Sequence, residues 1–153
     1  MKNAYREFQK QIEKTIPRER IITDPLKKVA IGVDASFYRL VPEIIIDVES
    51  EDEVRIILRE ARSRKLPVTF RAAGTRLSGQ YITYSILVRL GRGWSRYRIY
   101  ENAGLIQLQP GIIGSFAIRD LAPFDRKIGP DPASIETAKI GGILANNASG
   151  MCC

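Results

Sequence analysis

Residues 71–80, RAAGTRLSGQ, set two glycines among the hydroxyls of Thr75 and Ser78, directly after the apolar run PVTF at 67–70. Gly74 and Gly79 carry no Cβ to keep a ligand away, so several backbone N–H groups of such a loop can converge on one anion. A phosphate or pyrophosphate is the natural guest, although an ordinary glycine-containing turn also satisfies this stretch taken alone. A second region has the same character. GPDPAS at 129–134 leads into IGGILANNASG at 140–150, about sixty residues downstream. Two glycine- and amide-rich stretches, each beside an apolar run, suggest two walls of one binding cleft.

Other chemistries lack their residues. No Gly-x-x-x-x-Gly-Lys-Ser/Thr occurs, which removes a P-loop. No Gly-x-Gly-x-x-Gly follows a strand, and Gly91-Arg-Gly93 is too short to open a dinucleotide-binding turn. The sequence contains no histidine, so neither a histidine triad nor an imidazole metal site can be assembled from it. Cys152 and Cys153 are adjacent and make no disulfide framework or zinc site by themselves.

The elements that must hold these loops follow from periodicity. Residues 3–16 space Tyr5, Phe8, Ile12 and Ile16 as on a helix, with Pro17 as a stop. A short helix is expected after Asp24-Pro25, and residues 43–48 read as a strand. Ser50 and Glu53 form a capping box for a helix whose Val54, Ile57, Leu58 and Ala61 share a face and which ends near Lys65. With a short buried strand at 67–71, residues 43–71 make a β-α-β unit. Residues 85–90 are a further strand, and 97–101 and 105–109 a hairpin in which Gly104 takes a positive φ. Short helices are expected at 114–121 and within 137–147, with Gly150 as a cap. The class is α+β, or mixed α/β: a β-α-β unit followed by a β-hairpin and short helices. Residues 1–20 read as a leading amphipathic helix and 21–153 as one domain.

With these motifs in place, the chain resembles the N-terminal part of the flavoenzymes that bind FAD in the vanillyl-alcohol-oxidase or PCMH manner, and within them the D-lactate, glycolate and D-2-hydroxyglutarate dehydrogenase branch. The loop at 71–80 resembles that branch's pyrophosphate loop. Residues 128–134 with 140–150 resemble its second FAD-contacting segment, and DASFY at 34–38 followed by Pro42 resembles its entry to the domain. The similarity runs over roughly residues 20–153. It implies that the amides of Ala73, Gly74, Thr75, Arg76, Leu77, Ser78 and Gly79 hold the FAD pyrophosphate. Pro130 and Asp131 then line the adenosine side. Ile140, Gly141, Gly142, Asn146 and Asn147 approach the pyrophosphate and flavin edge, and Gly150 lets the backbone turn. Singly, Gly141 and Gly142 also fit tight helix packing, and Asn146 and Asn147 a helix cap. Arg76 stands where the branch more often has a small hydroxyl residue; it either bonds phosphate or turns to solvent.

The histidine that tethers the flavin in some relatives is absent here, so FAD is expected to be non-covalent, with Cys152 and Cys153 as plain thiols. No catalytic residue and no metal ligand is assigned. The branch's FAD domain, its substrate domain and an iron–sulfur region extend beyond the matching stretch. The chain therefore reads as a truncated FAD-binding portion of a 2-hydroxyacid dehydrogenase that does not turn over alone and self-associates through exposed sheet edges. A non-catalytic nucleotide or phosphate binder, or an interaction domain whose glycines merely turn the chain, satisfies the same residues.

Composition agrees with a folded domain. The 153 residues are 44% hydrophobic and 27% charged, and no apolar run reaches the roughly eighteen residues of a membrane span. The N-terminus mixes charges and lacks an apolar signal core, so a cytoplasmic location is expected. A net charge of +7 raises nucleic-acid binding, but the cations are dispersed and interleaved with Glu and Asp; the densest cluster runs from Arg89 to Arg98 beside Trp94 and Tyr97. No nucleic-acid partner is expected.

Overall fold

The computed structural model describes residues 2–151. The chain divides into two compact units, one of Met1–Arg71 with Arg76–Gly91, the other of Ala72–Thr75 with Arg92–Cys153.

The first unit opens with α1 (Lys2–Ile12), whose apolar stripe buries Phe8 and Ile12 completely and sets the Tyr5 hydroxyl 2.8 Å from that of Ser85. The helix ends four residues earlier than periodicity predicts. Ile16 is still fully buried, but it is reached through a turn in which the Ile12 carbonyl accepts from both Thr15 and Ile16. Proline disfavours the helical region for the residue before it, so the helix cannot continue through Ile16 into Pro17. β1 (Ile21–Ile22) follows, then α2 (Pro25–Ile31), capped by the Asp24 carboxylate on the Lys27 N–H with proline at the first helical position.

The sheet contains β1, β2 (Ile44–Val48), β3 (Val68–Arg71) and β4 (Ile86–Leu90) in the order β1-β2-β4-β3. β1 is antiparallel to β2, and the other pairs are parallel. Central β2 and β4 are near-continuous apolar runs, as parallel strands covered on both faces must be. Ile44, Ile45, Ile46, Val48, Ile86, Leu87 and Val88 are all essentially buried, each contributing roughly 1.5–3 kcal/mol relative to exposure. Between β2 and β3 runs α3 (Glu51–Ser63).

Four expectations change here. The β-α-β unit exists, but β4 inserts between its two strands, so β2 and β3 do not touch as a pair. β3 is an edge strand, and Phe70 is exposed instead of buried. Leu58 also faces out, because the buried face of α3 is set by Ile57 and Ala61, and the next residue is rotated about 100° round the helix. The Ser50 hydroxyl accepts from the Glu53 N–H as the capping box requires. The Glu53 carboxylate instead takes the Glu49 N–H at 2.8 Å and both Nη groups of Arg20, at 2.8 and 2.6 Å. Burial alone would raise this carboxyl, but those bonds hold it below the usual glutamate range.

The second unit contains the hairpin of β5 (Tyr97–Tyr100) and β6 (Leu105–Leu108), then α4 (Gly114–Leu121) and α5 (Ile140–Ala145). The hairpin turn differs from expectation. Gly104 has an ordinary negative φ, and the left-handed positions fall on Glu101, Asn102 and Ala103, with φ of 55, 48 and 63°. The turn is closed by the Gly104 N–H donating to the Glu101 carbonyl at 2.9 Å. The core joins Ile112, Ala138, Ile140 and Ile143, with Leu108, Ile128, Ile135 and Ala148 packed against it. α4 has no side-chain cap; its Gly114 and Ser115 N–H groups donate to the Ala138 and Ile135 carbonyls at 2.9 and 3.1 Å. That arrangement satisfies two of the donors a helix start leaves open. Mixed α/β architecture is therefore established.

Candidate functional site

The loop that leaves β3 bears two left-handed glycines, Gly74 at φ 77° and Gly79 at φ 68°. L-residues pay a steric penalty there, so glycine is the residue this backbone path favours. Among the described residues, the N–H groups of Ala73, Gly74, Thr75, Leu77, Ser78 and Gly79 donate to no backbone carbonyl. Ala73, Leu77 and Ser78 are exposed, while Gly74, Thr75, Arg76 and Gly79 are half-buried. Arg76 is thus not a side chain turned wholly to solvent. Six donors lie in a loop shaped by two glycines. This donor set fits an anionic group of the pyrophosphate kind.

The second segment is built differently. The Ile140 side chain is buried in the core, and its N–H donates to the Ile112 carbonyl at 2.8 Å. The Gly141 N–H donates to the Pro110 carbonyl at 2.9 Å, and a Cβ on Gly141 would stand 2.7 Å from the Pro110 Cβ. The Gly142 N–H is held by the Lys139 carbonyl at 2.9 Å. A Cβ on Gly142 would meet only the Ala72 Cβ, at 3.6 Å, so the beginning of the first loop and the start of α5 face each other at this point. Asn146 is half-buried, and exposed Asn147 adopts the left-handed conformation with φ 48°. The helix is therefore ended by Asn147, not by Gly150. Gly150 has a different reason to be glycine: a Cβ there would collide with the Asp131 carbonyl oxygen. Pro130 and Asp131 are half-buried beside that contact. Cys152 and Cys153 lie outside the described residues.

Two features of the loop's surroundings carried no role in the sequence reading. Arg71 ends β3 at 7% exposure, with its guanidinium on the carbonyls of Val33 and Ile31. Tyr38, in the DASFY segment, lies against Gly79. The available signal was a cation closing an apolar strand at the mouth of a glycine loop, where a buried charge needs partners.

A separate cleft of about 280 Å³ in the second unit is lined by Tyr97, Leu108, Ile112, Phe116 and Asp120 among others, and includes none of the predicted cofactor residues. There the Tyr97 hydroxyl donates to Asp120 at 2.5 Å, which raises the phenol and lowers the carboxyl from their ordinary values; Arg119 adds to the second effect. Among the described residues no helix is long and apolar enough to cross a membrane.

Comparison with known proteins bears on the same loops. A family model described as an FAD binding domain matches residues 42–153. Over 128 residues the chain is 28% identical to the D-2-hydroxyglutarate dehydrogenase of Escherichia coli, an overlap of 81% of this chain and 13% of that enzyme. Over 120 residues it is 30% identical to the glycolate oxidase subunit GlcD of the same organism, covering 77% of this chain and 24% of that subunit. The chain thus spans only a minor part of the length of either relative. In fold it is similar to p-cresol methylhydroxylase, with a TM-score of 0.80 at 9% identity over 98% of this chain and 31% of that one. The chain belongs to the FAD binding domain family, with the fold of the PCMH-type flavoenzymes and with FAD-linked oxidoreductases as its relatives.

Proposed function

We propose that this chain binds FAD without a covalent bond, and that the loop at 73–79 holds its pyrophosphate. The observation that carries this reading is the loop itself: two left-handed glycines and six N–H groups with no backbone carbonyl to satisfy. The Thr75 and Ser78 hydroxyls add donors that rotate to suit the phosphate oxygens. Arg76 supplies a charge-assisted bond to phosphate. Pro130 and Asp131 flank the adenosine, while Gly142, Asn146 and Asn147 approach the cofactor from the α5 side. Ile140, Gly141 and Gly150 serve this side by packing, because the Ile140 side chain is buried, Gly141 abuts Pro110 and Gly150 admits a neighbouring carbonyl. The sequence has no histidine for a flavin tether.

When bound, FAD supplies a hydride acceptor for dehydrogenation, and the protein's share is to bind and orient it. We further propose that the complete protein oxidises a small D-2-hydroxyacid, on the strength of the relatives to which the chain is similar. The chain spans a minor part of those relatives, and no residue of it is assigned to substrate chemistry. The isolated chain is therefore expected to bind cofactor without turnover.

A thermal-shift and fluorescence titration with FAD, using FMN and ADP as controls, tests the reading. Saturation at a hundred times the dissociation constant adds about 2.7 kcal/mol of stability, and the account expects that gain with FAD and a smaller one with ADP. Equal stabilisation by FMN and FAD would remove the dinucleotide assignment. Silence toward all three in folded protein would remove the cofactor.

A further inference from the structure

Both ends of the glycine loop rest on one segment of the first unit, residues 31–38. At the near end, Arg71 donates from Nη1 to the Val33 carbonyl at 2.6 Å and from Nη2 to the Ile31 carbonyl at 2.8 Å. These carbonyls stand at and just beyond the C-terminal end of α2, where a helix leaves acceptors without intrahelical donors. Among the described residues Arg71 forms no ion pair. Its register neighbour on β4, Arg89, is held by both carboxylate oxygens of Asp47, at 2.7 and 2.8 Å, in the same row of the sheet. Burial, and then the like charge of Arg89, press the Arg71 guanidinium below its usual range, with Asp34 and Asp47 offsetting part of this. At 7% exposure, with two nitrogens spent on carbonyls, Arg71 is a tie and not a phosphate ligand.

At the far end, Gly79 is pressed so close to Tyr38 that a Cβ would stand 2.9 Å from the ring Cδ2. The Tyr38 segment is braced from within. Asp34 Oδ1 accepts from the Ser36 N–H at 2.9 Å and from its hydroxyl at 2.5 Å, and the Ser36 Oγ accepts from the Tyr38 N–H at 3.2 Å. Among the described residues, the amides of Ala73, Gly74, Thr75, Leu77, Ser78 and Gly79 donate to no backbone carbonyl that would hold the loop's shape. The contacts at its two ends therefore bear on its order.

We propose that segment 31–38 is the positioning element of the loop and Arg71 its positioning residue, fixing the amides of 73–79 before any anion arrives. This rests on the cofactor reading above. A loop ordered in advance loses less entropy on binding, so the tie is expressed as affinity.

The test uses Arg71→Met, Arg71→Lys and Tyr38→Ala in the whole 153-residue chain, reading backbone NMR order parameters without ligand and FAD affinity. In folded Arg71→Met, the order parameters of 73–79 should fall from the rigid range near 0.85 toward about 0.6, while β2 and β4 stay rigid. FAD affinity should weaken by about tenfold or more, the equivalent of one hydrogen bond to a charged group. Arg71→Lys, which keeps a donor cation, should recover part of both. Tyr38→Ala should loosen Ser78 and Gly79 alone. Unchanged order at 73–79 in folded Arg71→Met, or unchanged FAD affinity in a loosened loop, overturns the proposal. If Arg71→Met does not fold, wild-type order at Ser78 and Gly79 in Tyr38→Ala overturns it. Wild-type protein that ignores FAD, with the loop still loosened by Arg71→Met, would sink the cofactor reading and leave the tie standing.

Discussion

The two glycine-rich segments look alike in sequence and use glycine for opposite reasons. In the first, Gly74 and Gly79 take left-handed φ values, and among the described residues the N–H groups of 73–75 and 77–79 donate to no backbone carbonyl. In the second, the left-handed position belongs to Asn147, and Gly141 and Gly150 admit Pro110 and the Asp131 carbonyl against the backbone. The first segment offers donors; the second spends its own on the core and offers a closely packed wall. Composition alone does not separate an anion cradle from a packing seam. The destination of the N–H groups does.

Substitution should expose that difference. Gly141→Ala is expected to have the largest effect on stability, because the added methyl meets a proline ring carbon at 2.7 Å and a backbone oxygen at 3.1 Å, neither on a flexible arm. Overpacking of this kind costs about 1–3 kcal/mol, read as a lower denaturation midpoint. Gly79→Ala forces an L-residue into the left-handed region at about 1–2 kcal/mol. Its Tyr38 neighbour is half-exposed and able to give way, so the loss of stability should be smaller and the loss of FAD affinity larger than for Gly141→Ala. Acid should act on the unit that holds the far end of the loop. The Glu53 carboxyl is held below its ordinary value, so its contribution is present above the unfolded value of about 4.3 and is lost as pH falls through the folded one. Glu53→Gln should flatten the acid limb of the stability curve below pH about 4.3 while lowering stability near neutrality. The smallest effect has the opposite sign. Gly142→Ala places a methyl in ordinary contact at 3.6 Å within α5, and helical Gly→Ala is stabilising by about 0.5–1 kcal/mol. A rise in melting temperature without ligand, together with weaker FAD binding, would mark Gly142 as facing the cofactor.

Much of this was legible in the sequence, and the limits have physical causes. The largely apolar stretches at 43–48 and 85–90 announced strands, and Asp24-Pro25 and Ser50 announced helix starts, because those signals are local. The insertion of β4 between β2 and β3 depends on pairing across the whole unit, and no local pattern carries it. Gly104 misled because glycine permits a positive φ without requiring one; the turn gave that burden to Glu101, Asn102 and Ala103. The loop glycines were recognised, but the Arg71 bonds cross 38 and 40 residues of sequence, beyond any spacing rule. The committed amides of Ile140 and Gly141 were hidden for the same reason, since their acceptors Ile112 and Pro110 lie far back in the chain.

Residue-resolved amide hydrogen exchange, with and without FAD, tests the contrast most directly. Without cofactor, Ile140 and Gly141 should be protected, while Ala73, Gly74, Thr75, Leu77, Ser78 and Gly79 should exchange freely, as their carbonyl partners or lack of them dictate. With FAD, protection should appear across 73–79 and leave 140 and 141 unchanged. Protection gained at 140 and 141 with none at 73–79 would contradict the account, because the pyrophosphate would then sit on the segment assigned here to packing.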